Sequence, residues 1–157
     1  MSLAVTMKLK LLCSPLIFCL ALTVLAGAPA AAAEMKLHAL LLWGTDDSKP
    51  PEGKDYKPID QALKNKLKDL PLKWKNYFEV NRKSMVVKSG EGKKESMSDK
   101  CEIDFKNLDN NLVEVSLFGK GKEVMKRKQA LPAGEVLVLG GNAPNSTAWL
   151  VLLKRAE

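Results

Sequence analysis

Two apolar runs near the C-terminal end, Val136 to Leu139 and Trp149 to Leu153, stand on either side of a Gly, Asn, Pro and Ser cluster. Short runs bounded by turn-forming residues are the two arms of a hairpin, and runs without polar alternation are strands buried on both faces. The stretch from Leu131 to Arg155 is therefore read as the spine of a sheet, and everything upstream must pack against it. A third dense run, Lys36 to Trp43, ends at Gly44 before a polar loop, and its eight residues also suit a buried strand.

Between these runs the chain changes period. Thr45 to Lys57 holds Asp46, Asp47, Pro50, Pro51 and Gly53, with Pro58 beyond, and is a long loop. Ile59 to Leu70 has the spacing of an amphipathic helix: Ile59, Leu63, Leu67 and Leu70 share one arc while Gln61, Lys64 and Lys68 lie opposite. Asp60 suits its positive end, Lys66 and Lys68 its negative end, and Pro71 stops it. From Trp74 onward the pattern is β. Tyr77 to Val80 and Ser84 to Val87 form one long strand or two short ones, and Ser89 to Lys100 reads as a charged loop. Cys101 to Lys106 and Leu112 to Phe118 alternate cleanly, and Glu123 to Gln129 is polar enough for an edge. The expectation is an α+β fold, a single mainly antiparallel sheet of about six to seven strands with one amphipathic helix packed on one face, in the order β-α-β(β)-β-β-β-β-β.

The first residues follow another logic. Lys8 and Lys10 precede an apolar run from Leu11 to Ala26, which ends in Gly27, Ala28, Pro29 and a tract of alanines. That is the layout of a secretory signal, with cleavage expected after Ala33 or, alternatively, after Ala30. A retained membrane anchor is the competing reading. Residues 1–33 are thus expected to be a cleaved signal and residues 34–157 a single domain, exported to the periplasm or the extracellular space. Without Lys8 and Lys10 there are 23 cations against 18 acids, and 20 of the 23 are lysine. So modest an excess, with Arg82, Arg127 and Arg155 as the whole arginine complement, argues against a dedicated nucleic-acid reader. Beyond the signal Cys101 stands alone, which excludes an intramolecular disulfide, and its alternation with Ile103 and Phe105 points inward.

Little in the chain resembles a reaction centre. Cys101 and His38 could form a nucleophile and its base, but no Gly-rich oxyanion loop precedes the cysteine. One histidine and one cysteine cannot make a zinc site, and Gly140 and Gly141 lack the following helix of a phosphate loop. No metal, cofactor or catalytic residue is therefore expected. Asp46 and Asp47 begin the loop after the first strand, and Glu102 and Asp104 share the outward face of another strand. A small carboxylate-dependent hydrolase would have to use these four. Lys73, Trp74 and Lys75 interleave cations with an aromatic ring, and Lys126, Arg127 and Lys128 follow in series, a mixture suited to anionic polymers or lipid head groups.

LPAGEVLVLGG, Leu131 to Gly141, is similar to the turn, strand and Gly-Gly segments of outer-membrane secretins, over eleven residues. The longer layout, from LHALLLWGTDD through the helix to the final apolar strand, resembles small exported bacterial proteins without an assigned activity. The resemblance implies location and fold. The functional expectation is a non-enzymatic protein-interaction or binding module of the cell envelope, with an envelope protein as partner. Asp46, Asp47, Lys73, Trp74, Lys75, Lys126, Arg127 and Lys128 are its candidate contacts. The alternatives are a binder of nucleic acid, polysaccharide or lipid head groups through a lysine-rich face, and the small hydrolase.

Overall fold

The computed structural model describes residues 33–143 and 146–156, so the expected signal segment ahead of Ala33 lies outside the described residues. In chain order the elements are β1 (Glu34–Thr45), β2 (Lys57–Pro58), α1 (Gln61–Lys68), β3 (Asn76–Lys88), β4 (Gly92–Ser98), β5 (Cys101–Asn107), β6 (Leu112–Gly119), β7 (Lys122–Ala130), β8 (Val136–Asn142) and β9 (Ala148–Arg155). They form two antiparallel sheets, one ordered β2-β3-β1-β9-β8 and the other β4-β5-β6-β7. The expected single α+β sheet is therefore wrong. The chain is a two-sheet β structure carrying one short helix.

The physical reason lies in which faces are apolar. Ile103 and Phe105 on β5 and Val113, Val115 and Leu117 on β6 are all buried, and so are Ala39, Leu41, Met85, Leu139, Val151 and Leu153 on the first sheet. These side chains meet in one cluster, so the sheets pack face to face and do not continue edge to edge. The opposite face of the first sheet presents Leu40, Leu42, Leu150 and Leu152, and there Leu63 and Leu67 of α1 close a second cluster. β1 and β9 thus have apolar neighbours above and below, which explains why their runs lack alternation. Asp60 caps the helix by accepting the Leu63 N–H at 2.7 Å, just before its first turn.

Two other expectations change. Gly92–Ser98, read as loop, is the edge strand β4, which anchors itself through the buried Met97. The hairpin read as a buried spine is split in rank: β9 lies between β1 and β8, whereas β8 is an edge. Short crossings, Ser89 to Glu91 and Leu131 to Glu135, carry the chain between sheets and set β3 over β4 on one side and β7 over β8 on the other. Buried Asn107 secures the first by donating to Val87 O at 3.2 Å. Arg155 secures the second through Nη1, which donates to Leu131 O at 3.0 Å and to Asn111 Oδ1.

Candidate binding cleft

A row of cross-strand partners defines the most unusual surface. Phe78 on β3 pairs with Trp43 on β1, Trp43 with Trp149 on β9, and Trp149 with Gly141 on β8. Directly opposed residues of antiparallel strands share a face, so three rings stand side by side on the face that looks toward the second sheet. None of them belongs to the cluster between the sheets. Here the loop after β1 supplies the cover: Tyr56 lies against Trp43 with ring centroids 6.4 Å apart, and Phe78 flanks Trp43 at 5.9 Å.

The cover stops short of Trp149. Trp43 is buried, but Trp149 is 43% exposed and lines a cleft of about 660 Å³ with Trp43, Pro50, Pro51, Asp47 and Lys49. Gly141 brings no side chain beside the indole, and a Cβ there would meet nothing within 4 Å, so the ring is open toward the sheet edge. Gly140 next to it is forced: its φ is +143°, and a Cβ would fall 2.3 Å from Trp149 O. The result is an open cleft with an aromatic and proline wall and one acid and one base at its rim.

Hydrogen bonds hold the rim in place. The buried Thr45 hydroxyl donates to Asp47 Oδ2 and accepts the Asp47 N–H, both at 3.1 Å. Asp46 Oδ1 accepts from the Lys75 N–H at 3.1 Å, and Asn76 Nδ2 donates to Asp47 O at 2.9 Å. Trp74 Nε1 donates to Ser146 O at 2.7 Å, with Lys73 Nζ 5.5 Å from its ring centroid. Asp46, Asp47, Lys73, Trp74 and Lys75 therefore do gather at one end of the molecule. Their chief visible work is to bind the loop after β1 and the β8–β9 turn to the sheet.

Lys126, Arg127 and Lys128 lie elsewhere, on edge strand β7 of the second sheet. Lys126 Nζ is 3.0 Å from Glu114 Oε1, Lys128 faces Glu114 in register, and Arg127 pairs with Val115 on the inner side. The outward face of this sheet is a lattice of opposite charges. Lys94 meets Glu102 at 2.8 Å while lying over the Phe118 ring, and Lys106 meets Glu114 at 3.8 Å. The hydrogen bond from Lys126, helped by the charges of Lys126, Lys106 and Lys128, holds the Glu114 carboxyl below its ordinary pKa.

The other chemical candidates are also placed. His38 Nδ1 is 2.9 Å from Ser84 Oγ, on the helix side of the first sheet, whereas Cys101 packs against the cluster between the sheets. A sheet separates them, so they cannot act as nucleophile and base. Burial, then the charge of Glu102, pushes the Cys101 thiol above its ordinary pKa. Among the described residues no three His, Cys, Asp or Glu side chains are set to hold a metal ion, and no helix is long and apolar enough to cross a membrane. Residues missed from sequence are Lys49, Pro50, Pro51 and Trp149. The prolines looked like loop punctuation and the tryptophan like the start of a buried run.

The chain matches no protein-family model, no curated protein and no solved structure.

Proposed function

We propose that the protein is an exported, non-catalytic binding module of the cell envelope that engages a partner protein through the Trp149 cleft. The observation that carries this reading is the exposed indole of Trp149 beside Trp43, Pro50 and Pro51, the one aromatic among the exposed large apolar side chains of the described residues. A half-open tryptophan on a rigid strand offers large contact area at low entropic cost, which is why such residues dominate binding energy at interfaces. Asp47 and Lys49 oppose each other in charge at the rim, which suits a partner of mixed polarity better than a polyanion. Export rests on the signal-like run from Leu11 to Ala26.

The test is capture of the partner by the tagged protein in intact cells, at low and high salt. Trp149→Ala should weaken capture at least about tenfold, as an interface anchor does, while the variant still folds by circular dichroism. The retained signal should change little with salt. A steep fall with salt, and indifference to Trp149→Ala, would instead support an anionic polymer bound through lysines.

A further inference from the structure

Sheet edges invite pairing, and most edges here are guarded. β4 carries Lys93, Lys94 and a register break before Ser98, while β7 carries Lys122, Lys126, Arg127 and Lys128 with a break near Phe118. The β3 edge has Pro58 on β2 alongside it, a bulge near Val80, and Arg82 and Lys83. Charge, proline and bulges are the usual devices against pairing with another chain. β8, with the sequence VLVLGGN, has none of them, and its register with β9 is unbroken.

The free groups on β8 can be assigned. At the ends of its ladder the Arg155 N–H bonds Glu135 O at 3.1 Å and the Ala143 N–H bonds Thr147 O at 2.8 Å. Bonded pairs alternate along an antiparallel ladder, so Leu137, Leu139 and Gly141 bond to β9. Val136, Val138 and Gly140 then aim N–H and C=O off the edge, where among the described residues these groups have no hydrogen-bond partner.

We propose that β8 docks an extended segment of a partner protein, which adds to the five-stranded sheet as a sixth strand, apolar along its centre and acidic at the flank beside the start of β8. The acidic flank follows from the surroundings, where Glu135 is the one acid among several cations. Lys154 lies opposite Val136, and Lys66 Nζ donates to Gly134 O at 2.9 Å beside the start of β8. Lys126, Arg127 and Lys128 stand on β7, the edge on the same side of the second sheet. A second copy paired antiparallel through β8 would bring its uncharged Gly140 and Gly141 end to Lys154 and Lys66, so an acidic partner segment satisfies these cations and self-pairing does not. The proposal rests on the reading of the protein as a binding module and adds the class of partner. The added strand would run toward Gly141 and the open side of Trp149.

The probes are short peptides alternating valine and threonine, flanked by paired glutamates or by paired lysines, and the readout is amide hydrogen exchange of the whole protein followed by NMR. The glutamate-flanked peptide should slow exchange at Val136, Val138 and Gly140 and leave Leu137 and Leu139 unchanged. It should do so at about tenfold lower concentration than the lysine-flanked one. Val138→Pro, which removes an outward donor but no β9 bond, should abolish this protection; if that variant does not fold, the wild-type exchange pattern decides alone. The proposal is overturned if neither peptide protects the three amides, if the lysine-flanked peptide binds as well, or if protein concentration alone protects them, which would make the occupant a second copy. A shift of the Trp149 indole N–H resonance without edge protection would overturn strand addition and leave the cleft reading standing.

Discussion

Gly140 shows how much a single position can fix. An added Cβ would lie 2.3 Å from Trp149 O and 2.9 Å from Leu150 Cα, backbone atoms of an interior strand that cannot step aside. Gly140→Ala is therefore expected to lose roughly 2–4 kcal/mol of stability by urea unfolding, from strain and overpacking together. Gly141→Ala next to it should change stability by less than about 1 kcal/mol, since its Cβ enters open space. Glu114 gives a pH prediction at the same scale. Its folded pKa is lowered, so its contribution is present above the unfolded value of about 4.3 and fades as pH falls through the folded one. The stability difference between wild type and Glu114→Gln, followed by thermal melting from neutral to acid pH, should shrink toward zero on the acid side. Sequence reasoning found Gly140 as a turn residue but not its partner, because the clash is with a strand and not with a neighbour along the chain. Trp149 was hidden for a related reason: an apolar run does not mark where its cover ends.

At the scale of elements, the helix was the most legible. Its arc of Leu63 and Leu67 is the face that the structure buries, and Asp60 proves to be the N-cap residue. Leu67→Ala should cost about 2–4 kcal/mol and expose Leu40 and Leu152 to exchange, whereas Leu70→Ala, at a site 37% exposed, should cost less than about 1 kcal/mol. Urea titration of the two variants checks this directly. β4 was illegible because an edge strand needs few apolar residues, and here Met97 alone is deeply buried. β8 misled in the opposite direction. Val136 to Leu139 looks like an interior strand, yet it is an edge whose side chains are covered and whose backbone is not. Periodicity reports what side chains face, and hydrogen-bond partners across a strand leave no trace in it.

For the whole molecule, alternation in β5 and β6 says that one face of each is buried, but not against what. One large sheet under a helix and two sheets face to face satisfy the same pattern, and the choice depends on where the chain crosses between layers. The three-residue crossing from Ser89 to Glu91 and the buried Asn107 decide it, and neither resembles a breaker of a meander. The layering also accounts for the division of surfaces. The helix covers one face of the first sheet around Leu40, Leu42, Leu150 and Leu152 and leaves Val86 exposed, the second sheet covers most of the other face, and its own outward face is a lattice of ion pairs. Also open are the end of the first sheet at Trp149 and the unguarded edge of β8. The central claim is that partners meet the protein there. A photo-crosslinking amino acid placed singly at Lys49, Gly141 or Lys106, followed by irradiation of intact cells, tests it. The account predicts one shared protein adduct from Lys49 and Gly141 and none from Lys106, which lies among the ion pairs of the second sheet. An adduct from Lys106, with Lys49 and Gly141 silent, would contradict it.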